Sequence, residues 1–237
     1  MITIAHRKDS EDAKERILSA CVKLFLEKGY HDTKMNDILS AAGVSNSTFQ
    51  NLFHTKDGVL MDLTEFMFNG QFSVANSTFD KNLSPVFVYA LETSIQMALT
   101  ELNEHIREIY VYVYTLPNTT EHIIQKTSTE LSKIFASYLP EYSESDFYEM
   151  DIGTCGVMRN YMARRCDKYF TLEKKLERFL TISLSAYNVP ARERELIIQQ
   201  VLEMDIRSMA DEVLQKLFQE QDRKILSYLL IHSESLP

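Results

Sequence analysis

At 237 residues, 45% of them hydrophobic and 25% charged, the chain is long enough to bury a core and too apolar to remain disordered. Six Gly and five Pro leave little material for hairpins or long loops, so helices are expected. The net charge of −9 excludes a wholesale polyanion binder, but its distribution is uneven: residues 1–57 hold eight Lys/Arg and eight Asp/Glu, and the rest of the chain carries the whole deficit.

Taken in chain order, the first element is an amphipathic helix from about Asp12 to Lys28. Ala13, Ile17, Ala20, Cys21, Leu24 and Phe25 recur at spacings of three and four along one face. Arg7 and Lys8 precede it on an arm, and Gly29 supplies the left-handed stop. Thr33 is expected to cap a second helix holding Met35, Ile38, Leu39 and Ala42 on its inner face. Gly43 turns the chain, and Ser45 caps a third helix with Phe49, Leu52 and Phe53 as its stripe. Thr55 caps a fourth, from Lys56 to about Ser77.

Further on, Ser84-Pro85 opens a helix with Pro at its first position, where a missing N–H costs nothing. Ile109 to Tyr114 alternates strictly and on its own signals a strand. It has no partner strand among its helical neighbours, so it is read as a helix buried on most sides. Pro117-Asn118 and Pro140 to Ser145 are breaks. Helices follow from about Asp146 to Arg165, from Thr171 to Tyr187, and in one long pattern from Ala191 to about Tyr228.

No apolar run reaches bilayer length, and Met1 to Ser10 lacks a signal-peptide core. Cys21, Cys155 and Cys166 are odd in number and scattered, which predicts free thiols and a cytoplasmic location. The histidines lack ligand-spaced partners, and no phosphate loop, nucleophile elbow or paired-carboxylate motif occurs. Neither a metal, a cofactor nor an enzymatic role is therefore expected.

The run Arg16-Ile17-Leu18, Cys21, Leu24-Phe25, Gly29-Tyr30, Thr33, Met35, Ile38, Ala41, Gly43-Val44-Ser45, Thr48-Phe49, Phe53, Lys56 and Leu60 agrees in type and spacing at a dozen positions at once. It resembles the N-terminal DNA-binding domain of TetR-type transcriptional regulators, over about a fifth to a quarter of the chain. The resemblance implies an all-α protein with a helix-turn-helix head (1–57) and a larger helical effector-binding and dimerisation domain (58–237). It also implies a homodimer on a palindromic double-stranded operator, released when a small molecule binds; a shift of the fourth helix that changes the separation of the heads is the expected route.

Helix-turn-helix proteins lay their last short helix in the major groove. The candidate contacts are Thr33 and Lys34 at the start of the second helix, with Ser45, Asn46, Ser47, Thr48, Gln50 and Asn51 on the third. His54 and Lys56 follow toward the backbone. Gln50 and Asn51 suit adenine edges, and the capped N-terminus of the third helix suits a phosphate. Gln50 stands where the family usually has a Tyr, and Asn46-Ser47 where it has Lys-Gly, so the third helix carries no basic residue. Weak or largely polar contacts are expected, and a protein-binding adaptor is the rival reading.

In the body, Phe66, Tyr89, Met97, Tyr110, Tyr114, Met158 and Tyr161 are candidate linings for an apolar or aromatic effector. Leu172, Leu176, Phe179, Leu180 and Ser183 form one stripe expected at the dimer interface, and Ile197, Val201, Met204, Ser208 and the stretch from Val213 to Leu217 form the other.

Overall fold

The computed structural model describes residues 2–64 and 83–215, and every regular element among them is a helix. The readings on Phe66, on the end of the fourth helix and on the chain beyond 215 lie outside the described residues. The chain divides into two compact units, Met1–Leu63 with Glu212–Pro237, and Thr64–Asp211.

The first unit contains α1 (Ile2–Lys28), α2 (Met35–Ala42), α3 (Asn46–Phe53) and α4, which begins at residue 56. All six stripe residues of α1 are buried, with Ile17, Cys21 and Phe25 fully so. The helix starts ten residues before the expected point, so the backbone at Arg7 and Lys8 is helical and not an arm. No Gly or Pro stands before Gly29, and nothing stops the helix propagating backward from its packed part.

Gly29 ends α1 at φ 86°, donating its N–H to the Phe25 carbonyl at 3.0 Å. The cap of α2 is Lys34, one residue later than expected, with the Asp37 carboxylate accepting the Lys34 N–H at 3.2 Å. That bond, with Lys28 nearby, holds the Asp37 carboxyl below its ordinary value. Thr33 is instead buried beneath the turn, its hydroxyl facing the carbonyls of Gly29 at 2.7 Å and Leu24 at 3.3 Å.

Ile38 and Ala42 bury the inner face of α2, while Gly43 takes φ 60° and ends it. Arg16 crosses from α1 to donate to the carbonyls of Ala42 at 2.8 Å and Gly43 at 3.1 Å, which fixes the turn between the two short helices. Ser45 caps α3 by accepting the Thr48 N–H at 3.1 Å, a bond whose loss costs about 1 kcal/mol. Phe49 and Phe53 are buried on α3, and Val59, Leu60 and Leu63 on α4.

The second unit runs through α5 (Pro85–Leu102), α6 (Glu104–Val113), α7 (Pro117–Phe135), α8 (Glu144–Met162), α9 (Leu172–Ala186) and α10 (Ala191–Leu202), then α11 over 206–215. Ser84, Asn103, Ser143 and Thr171 each cap the helix that follows. The tyrosine-rich segment lies in α6, where Ile106, Tyr110 and Val113 bury one helical face. Burial at spacings of three and four outweighs the apparent alternation. The long final pattern is broken at 203–205, because Asp205 accepts the Ser208 N–H at 3.0 Å and starts a new helix.

At the centre, α5 packs against every helix from α6 to α10. The Phe135 and Tyr187 rings stack at 4.3 Å between centroids, and Tyr89 meets Phe135 edge-on at 5.2 Å. Leu172, Leu176, Phe179, Leu180 and Ser183 of α9, with Ile197 and Val201 of α10, are buried inside this one chain. They form its core, which corrects their assignment to a dimer interface, while Met204 is half-buried and Ser208 exposed. No described helix is long and apolar enough to cross a membrane.

Candidate nucleic-acid interface and internal cavity

Burial of Phe49 and Phe53 sets the rotation of α3 and turns its opposite face outward. Asn46, Ser47, Gln50 and Asn51 are exposed there, with Ser45 at the cap and Thr48 half-buried. The Ser45 hydroxyl lies 2.8 Å from that of Ser47 and 2.9 Å from that of Thr48, so three short hydroxyl side chains brace one another at the first turn. Gln50 and Asn51 extend beyond that cluster, each with an amide able to donate and accept at once. Lys34 is exposed at the start of α2, and His54 is exposed just past α3 with φ 58°.

Two of the expected contacts are placed elsewhere. Thr33 has almost no surface, its hydroxyl donating to the carbonyls of Gly29 and Leu24. The Lys56 ammonium donates to the carbonyls of Tyr30 at 2.7 Å and Thr33 at 3.0 Å and sits 4.1 Å from the Tyr30 ring centre. Lys56 therefore ties α4 to the loop after α1. Nothing local in the sequence announces this, since the partners are 23 and 26 residues away.

Within the second unit, α5, α7, α8 and α9 with Tyr114 enclose a cavity of about 650 Å³, counting the open space at its mouth. Tyr89, Tyr114 and Met158 of the expected set line it. Met97, Tyr110 and Tyr161 do not: Met97 and Tyr110 are core residues, and Tyr161 packs against Phe170 and Phe179.

The cavity also holds groups that the sequence reading missed. Glu92 on α5, Glu130 on α7 and Asp151 on α8 all line it. Glu92 Oε1 is buried without a hydrogen-bond partner among the described residues. Burial and the neighbouring Glu130 push the Glu92 carboxyl up to about 8. Asp151 is 5% exposed and accepts hydrogen bonds from the Thr127 and Thr154 hydroxyls. Burial raises its carboxyl to about 6, with both hydroxyls opposing the rise. The one signal in the sequence was Glu92 itself, an acid set in the apolar run from Pro85 to Leu99.

A second buried charge cluster is structural. Lys175, with no exposed surface, donates to Glu101 at 2.5 Å and to the Arg164 carbonyl, while Glu101 also accepts the Cys166 N–H at 3.0 Å. Among the described residues no group of His, Cys, Asp and Glu could hold a metal ion.

Residues 17–63 match the model of a family described as bacterial regulatory proteins, tetR family. No curated protein matches the chain. Two solved structures do, at low identity. One is a gamma-butyrolactone receptor (ArpA like protein), 14% identical, with 88% of this chain and 98% of that one covered and a TM-score of 0.46. The other is CprB from S. coelicolor A3(2), a TetR family protein, 15% identical over 82% of this chain and 98% of that one, with a TM-score of 0.45. The N-terminal unit, in which three packed helices present α3 outward, thus carries over residues 17–63 a domain similar to that of the tetR family of bacterial regulatory proteins.

Proposed function

We propose that the protein is a homodimeric, cytoplasmic repressor whose α3 reads a palindromic operator, with the head in residues 1–57 and the effector-binding body in 58–237. The observation that carries this reading is the outward face of α3, where Asn46, Ser47, Gln50 and Asn51 are exposed on a helix whose other side is locked into a core. Gln50 and Asn51 would meet base edges, Lys34 and the amides at the start of α3 would meet phosphates, and His54 would lie beside them. One short helix reads too few base pairs for useful specificity, so a two-fold pair is required. Ile152 on α8, half exposed beside Gly153 and Gly156, offers an apolar face with space for a close helix, and Leu196 on α10 is also exposed. These residues support a dimer and replace the buried stripes in that role.

Effector release is the second half of the proposal. The cavity of the second unit supports it, being concave, mostly apolar and furnished with a few polar groups. A ligand there changes the spacing of the two heads and so weakens operator binding. The test is selection of bound sequences from a random duplex pool with the full-length dimer. Enrichment of a palindrome is expected. A folded dimer that enriches nothing overturns the proposal in favour of an adaptor acting through protein partners, a reading favoured by the absence of any basic residue on α3 and the inward commitment of Lys56.

A further inference from the structure

Three acidic side chains from three different helices converge on one cavity that, among the described residues, no basic side chain lines. Glu92, Glu130 and Asp151 contribute carboxyl groups, and no described Lys, Arg or His stands among the lining residues. Glu130 is paired at the edge, with Lys133 at 2.7 Å and its side chain 43% exposed. Asp151 is held from behind by two threonine hydroxyls, and Tyr187 backs Thr154 at 2.8 Å. Glu92 presents an oxygen that is buried and, among the described residues, lacks a donor. Aromatic and apolar surface from Tyr89, Tyr114, Met158 and Phe179 makes up the remaining wall.

A buried carboxylate that lacks a donor is costly, and a bound cation both supplies the donor and offsets the charge. Aromatic faces add attraction for the same cation. A bound anion would face three carboxyl groups, and a neutral ligand would leave Glu92 protonated. From this juxtaposition we infer that the cavity selects an organic cation, an aromatic or aliphatic amine whose ammonium donates to Glu92 and faces Asp151 while its apolar part lies against Tyr89, Tyr114 and Met158. This inference rests on the effector reading of the same cavity and names the ligand class.

The groups that face Glu92 define how binding depends on pH. Glu130 lies on α7, Asp151 and Cys155 on α8, Tyr89 on its own helix, and Tyr114 just past α6, while Lys133 pairs with Glu130 outside the lining and Arg159 acts on Cys155. An ammonium ligand favours the ionised carboxyls, so its affinity rises with pH through the range in which Asp151 and then Glu92 lose their protons, from about 6 to about 8.

The experiment is calorimetric titration of the full-length protein with 2-phenylethylamine, 2-phenylethanol and phenylacetate, three probes of one shape and three charges. The amine is expected to bind at least about tenfold more tightly than the alcohol, and phenylacetate not at all. Glu92→Gln, which keeps the shape and removes an unpartnered charge, is expected to weaken the amine about tenfold and to flatten its pH dependence, with Asp151→Asn acting in the same direction. Thermal melts of each variant establish that it is folded, and Glu92→Gln alone decides if Asp151→Asn melts early. Binding of the alcohol or phenylacetate as tight as that of the amine, amine binding unchanged in folded Glu92→Gln, or no heat with any probe overturns the inference. Operator titrations run beside these separate it from the effector reading. An amine that binds through Glu92 without altering operator affinity removes the release mechanism and leaves the cavity assignment standing. An operator released by another compound, with no amine binding, does the reverse.

Discussion

The ammonium of Lys56 donates to the main-chain carbonyl of Tyr30 at 2.7 Å and lies 4.1 Å from the centre of the same residue's ring. The Tyr30 hydroxyl in turn donates to the Asp57 carboxylate next to Lys56 in sequence. A basic residue whose place in the sequence suggested the DNA backbone is thus committed to holding the start of α4 against the end of α1. Replacing it by methionine keeps the stem and removes the charge. Lys56→Met is expected to lower the melting temperature while leaving the salt dependence of DNA binding unchanged. A salt slope shallower by about one charge, with stability intact, would place Lys56 on a phosphate instead.

The polar face of α3 predicts a separation between sequence-specific and general affinity. Gln50→Ala and Asn51→Ala are each expected to cost about 1–3 kcal/mol on the selected duplex and little on a scrambled one. Asn46→Lys adds a cation at the first turn of α3. It is expected to raise affinity for both duplexes and to steepen the salt slope by about one charge per head. Competition binding on the two duplexes distinguishes these outcomes.

Much of the head was legible in the sequence because its signals are local. Gly29 and Gly43 take the positive φ their positions suggested, Ser45 caps α3, and the stripe from Ala13 to Phe25 is buried as its spacing implied. The cap of α2 moved from Thr33 to Lys34 because the Thr33 hydroxyl found carbonyls at the end of α1, a preference set by the loop and not by α2. The body was less legible for a related reason. An apolar stripe states that a face is buried but not by what, so the α9 residues assigned to a partner subunit proved to be the core of their own. Glu92 and Asp151 lie far apart in sequence, on helices α5 and α8, and only packing brings them to one cavity.

Buried charges in the second unit act on stability in opposite directions along the pH scale. Burial works against ionisation of Glu101, but the Lys175 hydrogen bond, the Cys166 N–H and the charges of Lys175 and Arg107 together bring its carboxyl below the ordinary value. A carboxyl lowered by folding contributes stability that is present above its unfolded value and lost as pH falls through the folded one. Glu92 and Asp151 are raised instead, to about 8 and about 6. Their contribution is intact below the unfolded carboxyl value and lost as pH rises through those points. Thermal melts are expected to show greatest stability near pH 5, with a decline toward pH 8 that shrinks in Glu92→Gln and an acid-side loss that shrinks in Glu101→Gln. A melting temperature unchanged from pH 5 to 8.5 would contradict the raised carboxyls.

The Lys175 site carries a separate prediction. Truncating Lys175 leaves Glu101 buried with only the Cys166 N–H and Arg107, 3.7 Å away, to balance it. Lys175→Ala is expected to cost about 3–5 kcal/mol, read by denaturant unfolding. Lys175→Ala with Glu101→Ala is expected to recover part of that loss, because the stranded charge goes with it.

The central claim is that α3 binds a specific duplex directly, with few ionic contacts. Its most direct test is titration of the selected duplex and a scrambled control at several salt concentrations. The account predicts tighter binding of the selected duplex at every salt, with a slope of log K on log salt corresponding to only a few phosphates per head, and loss of that preference in Gln50→Ala. Equal affinity for the two duplexes throughout, or a preference untouched by Gln50→Ala and Asn51→Ala, would contradict it.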